Sequence, residues 1–273
     1  MQSSATGWVL GGSSILTSGN ADPTDNGWLR LTNNATYRAG YAYYNQPVPT
    51  GRGLVITFDY GSWGGTGADG LSFFLFDGAT TTFNVGANGG SLGYAQKTGI
   101  NGLSGGYLGL GLDEFGNYSN PNEGRIGGPG AIPQAVAVRG PGTGTTNYRY
   151  LVGTTRLTVS PYSLPRIDCP KNYTGFTNIG VTNGVCGSSG VTRPAEATYY
   201  RQVQITLTPV GSAYQVTIAM KFGPSDTFRT LLGPAPCPRR RRVRSKWGLR
   251  LPPAAIPITT KSATWSSTRR CRT

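Results

Sequence analysis

The sequence predicts an all-β chain, folded as an antiparallel β-sandwich of jelly-roll type. Three observations carry that expectation. Glycine is unusually abundant, 42 of 273 residues, while charged residues make up only 13%. Short apolar or alternating runs recur along the chain, separated by turns rich in Gly, Asn and Thr, which is the pattern of strands joined by tight connections. No helical run of convincing length interrupts them. The length suits one large sandwich or two small domains, and no repeat or linker divides the chain before its last forty or so residues.

The elements follow in order. Asn26-Gly27-Trp28-Leu29-Arg30-Leu31-Thr32 predicts an early strand after a turn, and Tyr37 to Tyr44 a second. Gly53 to Tyr60 alternates strongly. A glycine-rich loop, Gly61 to Gly67, then feeds Ala68-Asp69-Gly70 and the run Leu71-Ser72-Phe73-Phe74-Leu75-Phe76, apolar on both faces and therefore expected at the centre of a sheet. Gly105 to Leu112 reads as another central strand, its glycines permitting close layer packing. Gln134 to Arg139 follows a Gly/Pro loop. Gln202–Pro209 and Tyr214–Phe222 form a hairpin about Val210-Gly211-Ser212, with Val203, Ile205, Leu207 and Val216, Ile218, Met220 alternating. Gly140 to Thr198 shows little periodicity and is expected to form long surface loops.

Several functions are excluded by composition. The chain has no histidine, so no Ser-His-Asp triad, Cys-His dyad or His-ligated zinc can be built. No run of about 18 apolar residues exists, so membrane insertion by a helix is not expected. Met1-Gln2-Ser3-Ser4 lacks the basic start and apolar core of a signal peptide. Cys169 and Cys186 flank sixteen residues rich in Gly, Asn and Thr. In an oxidising compartment a disulfide there would contribute about 3 kcal/mol; two unpaired thiols are the alternative.

The chemistry concentrates in three short segments. Gly111-Leu112-Asp113-Glu114-Phe115-Gly116-Asn117 places a carboxylate, a backbone carbonyl and an amide within five residues, all hard oxygen donors of the type calcium prefers. Ala68-Asp69-Gly70 lies about forty residues earlier, and Asn88-Gly89-Gly90-Ser91-Leu92-Gly93-Tyr94 lies between. In this order the segments resemble the L-type (legume-like) lectins, sugar-binding sandwiches of concanavalin-like jelly-roll fold. The resemblance spans roughly Gly7 to Gly233, is most similar to the bacterial members, and implies a domain over residues 1–236.

The resemblance implies a non-catalytic glycan-binding protein, assisted by calcium and placed extracellularly or on a cell surface. Such proteins are normally exported, so a longer reading frame or an upstream start is expected. Asp69 would accept two sugar hydroxyls, and the Ala68–Asp69 peptide is often cis in the family. Gly89 and Gly90 would offer backbone N–H where a side chain would block approach. Asn117 would donate its amide N–H, and Phe115 or Tyr118 would stack on the sugar. Calcium would take Asp113, the Phe115 carbonyl, Asn117, and Asn120 or Glu123, which stand where the family has an Asp. Gly111 stands where plant members have a metal-binding Glu, so no transition metal is expected. Read as residues alone, the Asp113–Asn117 segment is equally an Asx turn after a strand. A structural adhesin module with a degenerate site is the main alternative function. A glycoside hydrolase is less favoured, because Asp113 and Glu114, adjacent on a strand end, point to opposite faces.

The formal charge of +14 invites a nucleic-acid partner, but its distribution argues against one. All eleven acidic residues precede Cys237, and eleven of the 25 basic residues follow it, leaving +3 on the body. The tail, 237–273, is Pro/Arg-rich and without alternation, so it is expected to be non-native or disordered, and the sandwich to lack its last strand. A shifted reading frame accounts for this. Codons built from the last base of one present codon and the first two of the next, from Lys246 to Thr264, permit Val-Gly-Phe-Ala-Ala-Ser-Thr-Gly-Gly-Asn-Thr-Asn-Tyr-His-Glu-Ile-Arg-Asn, which resembles the closing strand and turn of the lectins. Sequencing the gene is expected to return that peptide in the shifted frame; codons that spell something else remove the frameshift and leave a genuine basic tail.

Overall fold

The computed structural model of the protein describes residues 6–24, 27–33, 35–62, 68–155, 201–221, 225–237, 244–251, 258–260 and 263–265. Cys169 and Cys186 lie outside them. The strands in chain order are β1 (Trp8–Gly12), β2 (Ile15–Leu16), β3 (Leu29–Arg30), β4 (Gly40–Pro49), β5 (Leu54–Ser62), β6 (Gly70–Asp77), β7 (Gly106–Asp113) and β8 (Ala135–Arg139). There follow β9 (Gly142–Thr143), β10 (Thr146–Asn147), β11 (Tyr150–Gly153), β12 (Arg201–Val210), β13 (Ala213–Lys221), β14 (Arg229–Cys237), β15 (Arg244–Leu251), β16 (Ile258–Thr260) and β17 (Ala263–Trp265).

Two sheets face each other, as the sequence predicts. One runs β1-β4-β15-β6-β7-β8-β11; the other runs β14-β13-β12-β5-β16-β3-β2, with β17 also on β5. β9 and β10 form a separate small hairpin, and every strand pairing among the described residues is antiparallel. The long β12–β13 hairpin turns at Gly211, whose φ of 54° suits a residue without a Cβ.

The core lies where the period-2 alternation of each strand directs apolar side chains inward. Leu71, Phe73 and Leu75 of β6 and Leu108, Leu110 and Leu112 of β7 meet Phe58, Val203, Ile205, Val216 and Ile218 of the opposite sheet. The rings of Phe73 and Phe58 stack across the layers, centroids 5.6 Å apart. β6 is indeed apolar on both faces because it serves two cores. Its other side, Phe74 and Phe76, packs with Leu92, Tyr94, Leu103, Tyr118 and Tyr148 under the loops that cover the sheet. Gly109 and Gly111 of β7 make that second core possible: a Cβ on either would stand 2.3 Å from the ring of Tyr94 or Tyr118, so only glycine lets these rings lie against the strand.

Two expectations are corrected. Residues 140–155 are not all loop: β9, β10 and β11 fall there, and β11 pairs with β8. These strands are two to four residues long with a register shift, too short to show a period. The sheet also does not lack its strand. The backbone of Arg244–Leu251 runs between β4 and β6, bonded to both, and Ile258–Thr260 and Ala263–Trp265 pair with β5. A ladder is made by main-chain N–H and C=O groups, so the slot accepts an extended segment whose side chains carry no strand pattern.

Phe73→Ala is expected to cost about 3–5 kcal/mol, because it removes a fully buried ring from the contact between the sheets. Urea unfolding measures it; a loss below about 1 kcal/mol would place the core elsewhere.

Candidate functional site

The register of β6 and β7 builds the site. Gly70 pairs with Asp113, so the residue before β6 and the loop after β7 emerge side by side. Asp69 then fastens the two: its backbone carbonyl accepts the N–H groups of Glu114 and Phe115, each at 3.1 Å. The Ala68–Asp69 peptide is cis. Asp69 itself is half-buried.

The third segment comes from the covering loop. Gly89–Ser91 and Asn117–Ser119 each form one 3-10 turn, and the two turns abut. A Cβ on Gly90 would lie 2.1 Å from the Cβ of Asn117, so glycine is required for the close approach. Ser72 of β6 secures the loop from below by donating its hydroxyl to the Leu92 carbonyl at 2.6 Å. Asp69, Gly89–Gly90 and Asn117 therefore converge at one end of the sandwich.

The aromatic candidates separate. Phe115 is half-buried at this end. Tyr118 is fully buried, its ring against β7 and under the Arg139 guanidinium, 5.4 Å from the centroid. It therefore cannot stack on a ligand, and that sequence expectation is corrected. Arg139 holds the loop from inside, donating to the carbonyls of Tyr118 at 2.8 Å, Ile126 at 2.9 Å and Tyr148 at 2.9 Å. Burial pulls its pKa down to about 10.

The side-chain oxygens expected to bind calcium are already engaged by groups of the protein. Asp113 accepts the N–H of Gly116 at 2.8 Å on Oδ1 and that of Tyr118 at 2.7 Å on Oδ2, the Asx-turn arrangement. Asn117 Oδ1 accepts from the Asn120 amide at 3.2 Å, and Asn120 Oδ1 accepts the Asn122 N–H at 3.4 Å. Glu123 binds Lys97 at 3.3 Å and Arg125 at 3.0 Å. An N–H pointing at an oxygen competes with a cation for the same lone pairs, so this donor set does not fit a resident calcium. Among the described residues no three His, Cys, Asp or Glu side chains group to hold a metal. Glu123 follows the same logic in its titration: burial would raise it, but the hydrogen bonds from Arg125 and Lys97 outweigh that and hold it low.

Three participants were not singled out in the sequence: Ser91, Lys97 and Arg125. Arg125 donates Nε–H to the Asn120 carbonyl at 3.1 Å and Nη1–H to Ser91 Oγ at 3.2 Å, and also bonds Asn122 Oδ1. Its only sequence signal is its place two residues after Glu123.

Solved structures with the same architecture give the fold its family. The Ca2+/mannose-bound exoplasmic/lumenal domain of VIP36 superposes with a TM-score of 0.59 at 12% identity, covering 99% of this chain and 86% of that one. Its metal-free form gives 0.55 at 12% identity, covering 98% and 88%. The metal-free lectin I-B4 of Griffonia simplicifolia gives 0.55 at 15% identity, covering 96% and 93%. No family model matches the chain, and no curated protein matches it in sequence. The fold is that of the L-type lectins.

Burial pushes the Asp113 carboxyl from the ordinary 3.8 up to about 8; the N–H groups of Gly116 and Tyr118 oppose the rise, the charge of Asp69 adds to it and that of Arg125 lowers it. The folded protein thus binds this proton more tightly than the unfolded chain. Stability is expected to be greatest below about pH 4 as far as this group is concerned, and to fall toward pH 8 by at most about 1.4 kcal/mol per unit. Urea unfolding across this range should show a falling slope that Asp113→Asn removes; an identical slope in the variant would assign the dependence to other groups.

Proposed function

We propose that the chain is a carbohydrate-binding, non-catalytic lectin domain. The observation that carries this reading is the locking of three segments at one sheet end: Asp69 onto the 113–117 loop through its carbonyl, and Gly90 onto Asn117. Together they present complementary chemistry for a polyol. The Asp69 carboxylate accepts from two hydroxyls of one ring, with the strength that its charge adds. The Gly90 N–H and the Asn117 amide donate. Phe115, half-buried, offers an apolar edge. The solved neighbours include a mannose-bound domain and a lectin, which supports the same ligand class for this chain.

Hydrolysis is not part of the reading. A glycosidase needs two carboxyl groups that both reach the sugar. Asp113 is fully buried and spends its oxygens on the turn, Glu114 is buried, and Glu123 is held by two cations. Asp69, half-buried where the three segments meet, is then the one carboxylate of this group that the reading assigns to a ligand. Calcium, expected from the resemblance, does not enter, because the side-chain oxygens expected to hold it are engaged by the protein. Export or cell-surface display fits a glycan partner and the exoplasmic/lumenal domain among the solved neighbours. Weak single sites would gain avidity by repetition on a surface. No helix among the described residues is long and apolar enough to cross a membrane. The lectin-like domain expected over residues 1–236 thus draws strands from beyond that limit into both of its sheets.

A glycan array of the chain and its Asp69→Asn variant tests the proposal. Wild type is expected to retain a defined set of saccharides, and the variant to lose at least about tenfold in affinity, the cost of one charged hydrogen-bonding acceptor. Release of reducing sugar by the wild type would move the protein to the hydrolases; silence on the array would leave a structural module. Gly90→Ala is expected to abolish retention as well, since the new Cβ collides with Asn117; unchanged binding would place the ligand elsewhere.

A further inference from the structure

Around Arg125 the structure gathers the kind of oxygens that a hard metal ion collects. The guanidinium meets a backbone carbonyl (Asn120), a hydroxyl (Ser91), a side-chain amide oxygen (Asn122) and a carboxylate (Glu123). Its side chain is 0% exposed, which is unusual for an arginine that is not serving a specific set of partners. The four acceptors come from two different segments. Ser91 belongs to the turn that carries Gly89 and Gly90. Asn120, Asn122 and Glu123 follow directly on the turn that carries Asn117. Ser91 is also anchored within its own loop, donating to the Gln96 carbonyl at 3.0 Å. Charge is supplied locally: Glu123 faces Arg125 on one oxygen and Lys97 on the other.

We propose that the Arg125 guanidinium is the resident cation of this site, tying the Gly89–Gly90 turn to the Asn117 loop as a divalent metal would, so that loop order requires no added metal. The chemistry favours the exchange. A guanidinium is permanently charged and offers five N–H donors in a fixed plane, enough for the four oxygens found here, whereas an empty metal site would leave those oxygens to water. Arg125 is a positioning residue: it touches no ligand, and acts by fixing the segments whose N–H groups face one. The consequence for saccharide binding rests on the proposed function; the loop claim does not.

The test is thermal unfolding of the full chain, without saccharide, in EDTA and in millimolar calcium chloride, for wild type, Arg125→Gln and Arg125→Lys. Wild-type Tm is expected to move by less than about 1 °C between the two conditions, given that binding stabilises only what is bound. Arg125→Gln is expected to lose about 4 °C or more in EDTA and to regain part of it in calcium, because the oxygens of Asn120, Asn122 and Glu123 then lack their cation. Arg125→Lys, with a charge but a smaller fan of donors, should fall between and respond less to calcium; it gives the same comparison if the glutamine variant does not fold. A wild-type Tm that climbs several degrees with calcium would overturn the proposal, and so would an Arg125→Gln protein as indifferent to calcium as the wild type, since an ordinary ion pair has no reason to create a metal response. With no saccharide in the measurement, its failure would leave the lectin reading intact, and silence on a glycan array would leave this one intact.

Discussion

The pairing of Gly70 with Asp113 on β6 and β7 is the constraint on which the site depends. An antiparallel ladder fixes which residues stand opposite one another, and a one-residue slip would turn every side chain to the other face. Here a slip is prevented from both sides of the sheet. Leu71, Phe73 and Leu75 lock one face of β6 into the inter-sheet core, and Phe74 and Phe76 lock the other under the covering loops. With that register held, Asp69 and the 113–117 loop have one relative position, and the carbonyl of Asp69 closes it. The third segment is then placed by packing on the second core, where Tyr94 and Tyr118 lie against the glycines of β7. Rigid scaffold below and short irregular loops above is the usual division of labour in binding sites.

The loops themselves are held by buried cations in addition to the second apolar core beneath them. Arg139 takes carbonyls from beneath and Arg125 takes mixed oxygens between the turns. Charges so placed are costly unless every donor finds an acceptor. Both arginines meet that condition with oxygens of residues that the chain must bend sharply to present.

How much of this was legible follows from the kind of signal each part sends. β6 and the β12–β13 hairpin were readable because period-2 alternation and unbroken apolar runs are local properties of sequence. Asp69, Gly90 and Asn117 stand out only through order and spacing, since an Asp-Gly or a Gly-Gly pair alone means little in a chain so rich in glycine. The burial of Tyr118 is not legible, because nothing in its neighbours tells a surface aromatic from one that fills the space left by two glycines on another strand. Arg125 is illegible for the opposite reason: a lone arginine reads as a solvated charge, and Ser91, one of its acceptors, comes from distant sequence. The tail was read from its lack of alternation, but main-chain pairing ignores side-chain pattern, and Arg244–Leu251 runs in the slot between β4 and β6.

On the proposed function, a saccharide is held where Asp69, Gly90 and Asn117 meet. Amide chemical-shift mapping during titration with a retained saccharide tests it most directly. Saturable shifts are expected to be greatest at the Gly90 N–H and the Asn117 side-chain amide, with the neighbouring N–H groups of Glu114 and Phe115 following. Saturable shifts confined to the opposite end of β6 and β7, around Asp77 and Gly106, with those amides unmoved, would contradict it.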